Sequence, residues 1–363
     1  MITNYDSPGV GKIARLRQID SLRAFAVIAV MIHHFLPVDR LIGEFMTLGL
    51  LGVRFFFTLS GFLITGILLR GQTMGTFYVR RALRILPAYY ACLIIVVLLG
   101  VPDARRFFGW HFFYLSNWLF VFWPGTGIQT GHFWSLAVEE QFYFVWPWLV
   151  LKFPAKHMWK LPVAAVLFTI IFKAALAFTV GGHIAGGLLP FACFDSLGLG
   201  ALLAVFGHDA RLKPYRERFM RAALVLGTLI LIAQAYIYFG GRGYRILIST
   251  YYLGISLIFV WLVGKAADGK LWKIIEAKPI VYTGKISYGL YLWHNFMPAL
   301  AVWLIGYRPR DSALAALATV LTFAIAAASW AFLESPLNAL KDRIGARVSP
   351  VGTKALENSA GGI

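Results

Sequence analysis

The sequence predicts an all-α polytopic membrane protein, about ten transmembrane helices in one bundle with both termini cytoplasmic. Three observations predict it. Of 363 residues, 59% are hydrophobic and 14% charged, with a mean hydropathy of +0.71; soluble domains carry about 25% charged residues. The apolar residues fall in runs of about 20, the length at which a helix crosses a bilayer. The formal charge of +18 comes from 34 Lys and Arg against 16 Asp and Glu, and the basic residues sit in short stretches between the apolar runs. That pattern sets membrane orientation, so no nucleic-acid partner is expected. A soluble enzyme, a disordered chain and a secreted disulfide scaffold are excluded.

The runs cover 21–39, 45–69, 85–101, 132–151, 161–180, 188–207, 222–239, 245–264, 286–305 and 313–333. Between the third and fourth, Phe107 to Trp123 is dense in aromatic residues. It predicts an interfacial or re-entrant element, since Trp and Tyr favour the headgroup level. With the N-terminus inside, the inner loops hold clusters such as Arg70, Arg80, Arg81 and Arg84, or Lys152, Lys156 and Lys160. The outer loops hold scattered residues such as Arg40, Arg105, Arg242 and Arg308. The organisation is therefore a cytoplasmic segment at 1–18, a membrane domain at 19–336 and a polar, partly disordered cytoplasmic tail at 337–363. No cleavable signal peptide is expected, because the first run carries Arg23 and two histidines and no small-x-small site follows it. Short loops confine any chemistry to the bundle or its faces.

Cys92 and Cys193 lie inside apolar runs and read as packing residues. Neither a disulfide framework nor zinc spacing is present, and no metal is expected.

An ionisable side chain within the bilayer is costly and marks a functional site by default. In the first run, Arg23 and His34 are eleven residues apart, close to three helical turns, so both project from nearly one face. Asp20 joins that side. The rise of roughly 16 Å means that Arg23 and His34 share a groove without touching. His33, about 100° further round the helix, reads as structural or interfacial. In the second run, Ser60-Gly61 lets a neighbouring helix approach closely, and Arg54 either snorkels outward or lines a cavity. Arg80, Arg81 and Arg84 gather on one helical turn, and guanidinium forks recognise phosphate bidentately; ordinary inner-face charge is the plain alternative. Pro87 marks the next helix entry.

The fourth run opens with Glu139 and Glu140, which are expensive to bury unless paired. Ser135 is four residues before Glu139 and shares its face, while Glu140 points elsewhere. Pro147 kinks or ends this helix. Tyr288 and Tyr291 share a face, with His294 three residues on; interfacial anchoring accounts for them equally well. Glu334 ends the last run, placed to pair with the Arg patch or to cap a helix.

These segments, in this order, resemble the acyltransferase 3 family of integral membrane O-acyltransferases. The matching pieces are IDSLRAFAVIAVMIHHF, GVRFFFTLSGFLIT, FYVRRALRILPAYY, SNW with HFWSLAVEEQFYFVWP, ISYGLYLWH and Glu334-x-Pro336. The resemblance implies ten membrane helices, a multi-pass location in the inner (cytoplasmic) membrane, and transfer of an acyl group, acetyl foremost, from cytoplasmic acyl-CoA to a hydroxyl. The acceptor it implies is a cell-surface glycan or a lipid-linked glycan precursor; a macrolide or another small natural product is the alternative. The family's Arg-x10-His motif falls on Arg23 and His34, its Arg-Arg-x-x-Arg stretch on Arg80, Arg81 and Arg84, and its Ser-led Glu-Glu motif on Ser135, Glu139 and Glu140. Two departures stand out. Many relatives carry an acidic residue where this chain has Arg54. Longer members append an extracytoplasmic SGNH-type domain, whereas this chain ends about 30 residues after its last run, so a short form is expected.

On this reading His34 is the general base, since an imidazole titrates near neutral pH. Arg23 stabilises developing charge or holds CoA. Glu139 or Glu140 orients the imidazole, and Arg80, Arg81 and Arg84 grip the CoA phosphates. Membrane lipid surrounds the whole. The rival from another class is a non-catalytic glycan-precursor transporter.

Overall fold

A computed structural model describes residues 17–36, 48–176, 179, 186–239 and 244–340. The predicted N-terminal segment through residue 16, the tail from 341, and the outer-loop residues Arg40 and Arg242 lie outside the described residues. The described chain is helical, with no strand among its elements.

Helix α1 spans Arg17–Phe35, α2 Leu48–Leu69 and α3 Met74–Leu98. Three short helices follow: α4 Pro102–Arg106, α5 Phe108–Phe112 and α6 Ser116–Phe122. Then come α7 Phe133–Lys152, α8 Lys160–Leu176, α9 Phe194–His208, α10 Arg216–Phe239 and α11 Tyr244–Ala267. The chain closes with α12 Lys278–Lys285, α13 Ser287–Trp293, α14 Met297–Ile305 and α15 Asp311–Ser329, which runs into a π turn over Trp330–Glu334.

Among the described residues, five stretches are both long and apolar enough to cross a membrane: Leu48–Leu69, Met74–Leu98, Lys213–Ile237, Thr250–Ala267 and Asp311–Leu340. The other predicted runs are helical but shorter or more polar. Phe194–His208 has 15 residues, and α1 carries Asp20, Arg23 and two histidines. The run at 286–305 is broken at His294–Phe296, just before Pro298, whose missing N–H cannot continue the ladder. The aromatic stretch from Phe107 to Trp123 holds helices of only five and seven residues, too short to span.

Two prolines lie inside helices rather than at their ends. Pro87 does not open a helix. Helix α3 starts thirteen residues earlier at Met74, where the Thr73 hydroxyl accepts from the Thr76 amide. That start puts Arg80, Arg81 and Arg84 on the same helix as the apolar stretch behind Pro87. Helix α7 likewise runs through Pro147 to Lys152.

Small residues set how closely the helices approach. Helices α2 and α9 cross at Gly61 and Gly200: a Cβ on Gly61 would run into the Leu197 carbonyl, and one on Gly200 into the Thr58 carbonyl. The predicted close approach at Ser60-Gly61 is thus made with α9. At Gly284, α12 meets the backbone of Asp20 on α1 in the same way. These crossings bring α1, α2, α3, α7 and α13 around one cavity.

Candidate active site

The cavity has a volume of about 1340 Å³ counting its open mouth. Its mouth lies by the exposed Arg70 at the end of α2. Arg80, Arg81 and Arg84 from α3 and Arg23 from α1 line it as well, so five guanidinium groups converge on one space. Facing them are Glu139 and Glu140, which both line the cavity. Glu140 does not turn away from Glu139 as helical phase predicts.

Arg23 is 7% exposed and pairs with Asp20 at 3.5 Å, which keeps the two on one face as their spacing requires. The Arg81 guanidinium lies 3.6 Å from the centre of the Tyr143 ring, a cation–π contact that fixes a rigid fork at the cavity wall. The Tyr143 hydroxyl donates to Glu139 Oε2 at 2.9 Å, and Ser60 Oγ donates to Glu139 Oε1 at 2.9 Å. The Tyr143 and Ser60 oxygens are themselves 2.7 Å apart. Glu139 is therefore the hub of a polar network joining α2 and α7, and a partly buried carboxylate so satisfied avoids the cost of an unpaired one.

Ser135 lines the same cavity but belongs to a different cluster. Its hydroxyl makes a short hydrogen bond with the Tyr291 hydroxyl, and both oxygens lie 3.1 Å from the His132 carbonyl. This pair forms the floor of the cavity. Behind it lie His132 and His294, both buried.

His34 is not among the cavity-lining residues. It sits exposed at the end of α1, with its ring centroid 4.8 Å from that of His294. The groove predicted to be shared by Arg23 and His34 is divided: Arg23 is in the cavity, and His34 is beyond its floor. Nδ1 of His34 lies 2.9 Å from the Val30 carbonyl. A carbonyl only accepts, so Nδ1 carries the hydrogen and Nε2 is the nitrogen that can take a proton. The group fixing this tautomer is thus a backbone carbonyl, whereas Glu139 holds Ser60 and Tyr143. His33 packs edge-on to His34, with centroids 5.0 Å apart.

One further side chain departs from the sequence reading. Arg54 neither snorkels nor lines the cavity. It is 1% exposed, its Nη1 is 2.9 Å from Asp195 Oδ1, and Tyr252 lies under its guanidinium at 4.2 Å. The other Asp195 oxygen takes Lys173 Nζ at 2.5 Å. This ion triad ties α2, α8 and α9 together away from the cavity. Glu334, expected to pair with the Arg patch or to cap a helix, accepts a hydrogen bond from Ser329 Oγ at 3.0 Å within its own helix and lies within electrostatic reach of Arg84. The roles of Tyr143 and Asp195 go unseen in the sequence because Ser60 and Arg81, which meet Tyr143, and Arg54, which meets Asp195, are remote in the chain; the four-residue spacing of Glu139 and Tyr143 is the one signal that could have disclosed their contact.

The acyltransferase domain profile of the acyltransferase 3 family matches residues 16–333. The chain belongs to this family. It is 32% identical over 358 residues to the peptidoglycan O-acetyltransferase OatA of Listeria monocytogenes, covering 88% of this chain and 55% of that protein. It is 27% identical over 357 residues to the O-acetyltransferase OatA of Staphylococcus aureus, covering 88% of this chain and 56% of that one. The chain thus spans about half the length of the curated relatives it matches. No solved structure matches it. The family match and the apolar helices make this acyltransferase 3 protein an all-α, multi-pass membrane protein.

Proposed function

We propose that the protein is an O-acyltransferase of the inner membrane that moves an acyl group, acetyl foremost, from cytoplasmic acyl-CoA to a hydroxyl of a cell-surface glycan or its lipid-linked precursor. The relatives' names favour peptidoglycan as that glycan. The observation that carries the reading is the order of groups down one cavity: arginines at the mouth, the Glu139 network midway, and the Ser135–Tyr291 pair on the floor. An anionic, elongated donor with its reactive end innermost suits that order. A mouth of converging guanidinium groups grips phosphates through charge-assisted, bidentate hydrogen bonds. The basic loops favour a mouth on the cytoplasmic side, where acyl-CoA resides.

The thioester is already reactive, so the protein's task is to align, deprotonate and stabilise. His34 Nε2 takes the hydrogen of the acceptor hydroxyl. The hydroxyl oxygen bonds to the thioester carbonyl carbon, and the C–S bond breaks. Arg23, a long way down α1 from His34, holds the CoA chain within the cavity, with Asp20 keeping its guanidinium in place. Glu139 keeps Ser60, Tyr143 and, through Tyr143, Arg81 in fixed positions.

The test is reconstitution in lipid nanodiscs with radiolabelled acetyl-CoA and a lipid-linked glycan precursor as acceptor. The expected result is label in the glycan together with stoichiometric free CoA thiol. Glycan binding with no label transferred and no thiol released would overturn the enzyme reading in favour of transport.

A further inference from the structure

The floor of the cavity has more hydrogen-bond contacts than hydrogens to fill them. The Ser135 and Tyr291 hydroxyls form a short hydrogen bond with one another, and each oxygen lies 3.1 Å from the His132 carbonyl. A carbonyl only accepts, and each hydroxyl carries one hydrogen, so two hydrogens serve three contacts. When Tyr291 turns its hydrogen into the cavity, Ser135 still has an acceptor, either the His132 carbonyl or the Tyr291 oxygen. The pair can therefore offer one O–H to a ligand without stranding the other.

The Tyr291 oxygen is held in place. Tyr291 is 6% exposed, Phe56 and His132 pack edge-on to its ring at 6.2 and 5.9 Å, and His294 lies at 5.5 Å. A ring so enclosed leaves its hydroxyl only rotation about the C–O bond. Ser135 and Tyr291 both line the cavity. Other hydroxyls there are committed: those of Ser60 and Tyr143 donate to Glu139, and that of Tyr288 donates to the Ile85 carbonyl. Glu139 and Glu140, when ionised, only accept.

A donor lying with its reactive end innermost puts its carbonyl oxygen against this pair. We infer that Tyr291 is the oxyanion donor of the acyl transfer: its hydroxyl donates to the thioester carbonyl oxygen. Ser135 is the positioning residue; by donating to the Tyr291 oxygen it polarises the phenol O–H. The acceptor oxygen bonds to the carbonyl carbon, and the C=O electron pair moves onto the carbonyl oxygen. The Tyr291 hydrogen meets the charge that forms there. The pair then returns, and the C–S bond breaks with its electrons on sulfur. The acceptor's proton passes to the base, and the sulfur leaves as a thiolate that one proton makes into the free thiol. Tyr291 keeps its own hydrogen, so no further reactant is consumed. A donor fixed in advance needs no reorganisation as charge develops, so it favours the transition state over the bound thioester. The inference rests on the acyltransferase reading.

The test compares the full chain in nanodiscs with Tyr291→Phe, which keeps the ring and removes only the hydroxyl. Acetyl transfer, acetyl-CoA affinity and thermal unfolding are read together. A further readout, taken without acceptor, is the infrared C=O stretch of bound acetyl-CoA labelled with carbon-13 at the carbonyl. The expected result is a fall in kcat of about 100-fold or more, with affinity and unfolding temperature unchanged. The carbonyl band should lie at higher wavenumber in the variant than in the wild type, because a lost hydrogen bond stiffens the C=O bond. A merely structural role would lower stability or affinity and leave the band where it was. Wild-type kcat or an unmoved band in folded Tyr291→Phe overturns the assignment. If that variant does not fold, Ser135→Ala decides: a fall in kcat of about tenfold with a smaller band shift in the same direction supports it, and an unmoved band overturns it. Absence of acetyl transfer by the wild type itself defeats the acyltransferase reading, and this assignment with it; transfer by the wild type that Tyr291→Phe matches defeats the assignment alone.

Discussion

Ser60 on α2 donates a 2.9 Å hydrogen bond to Glu139 on α7. These residues are 79 positions apart, and their contact closes one wall of the cavity. Removing the serine hydroxyl leaves Oε1 of a partly buried carboxylate without its donor, a loss worth about 1–3 kcal/mol. Ser60→Ala is therefore expected to slow acetyl transfer by about 5- to 150-fold, while helix content holds. Steady-state kinetics with circular dichroism checks it.

Arg81 is stacked on Tyr143 at 3.6 Å, a geometry that needs a flat guanidinium. Lysine keeps the charge but neither the stack nor the fork. Arg81→Lys is expected to raise the Kd for acetyl-CoA about tenfold or more. Dephospho-CoA, which has one phosphate fewer, should lose less affinity from the substitution than acetyl-CoA does. Equilibrium binding by microscale thermophoresis reads both.

Asp195 satisfies two buried cations, Arg54 and Lys173. Asp195→Asn leaves both facing a neutral amide, and breaking such a buried group costs about 3–5 kcal/mol. A marked fall in unfolding temperature is expected. Adding Lys173→Met removes one of the two stranded charges and should restore part of the loss. A double variant no more stable than the single one would count against the triad as a stabilising unit.

Gly200 has the Thr58 backbone where a side chain would be. Gly200→Leu is expected to force α2 and α9 apart and give aggregated protein on size-exclusion chromatography in detergent. Gly71, which has a positive φ of 86° but open space around it, should accept Asn with little effect, since Asn tolerates that conformation.

What the sequence disclosed follows from distance along the chain. Asp20 with Arg23, and Arg80 with Arg81 and Arg84, are legible because helical phase relates residues three or four apart. The apolar runs disclosed helices, but not which would be long enough to span: Pro298 breaks one, and the charges of α1 make another too polar. The Ser60–Glu139 bond, the Arg54–Asp195 pair across 141 positions and the His34–His294 contact depend on how helices cross. Periodicity within one helix carries no information about the helix packed against it. The same limit explains why Tyr291 reads equally well as an interfacial anchor until its hydroxyl is seen against Ser135.

The central claim is that His34 takes the proton of the acceptor hydroxyl. Single-turnover transfer from acetyl-CoA, followed by free-thiol release in nanodiscs, tests it most directly on the wild type and His34→Ala. The account predicts CoA release coupled to acceptor acetylation in the wild type and a loss of about 100-fold or more in the variant, with acetyl-CoA binding unchanged. Near-normal transfer by folded His34→Ala would contradict it.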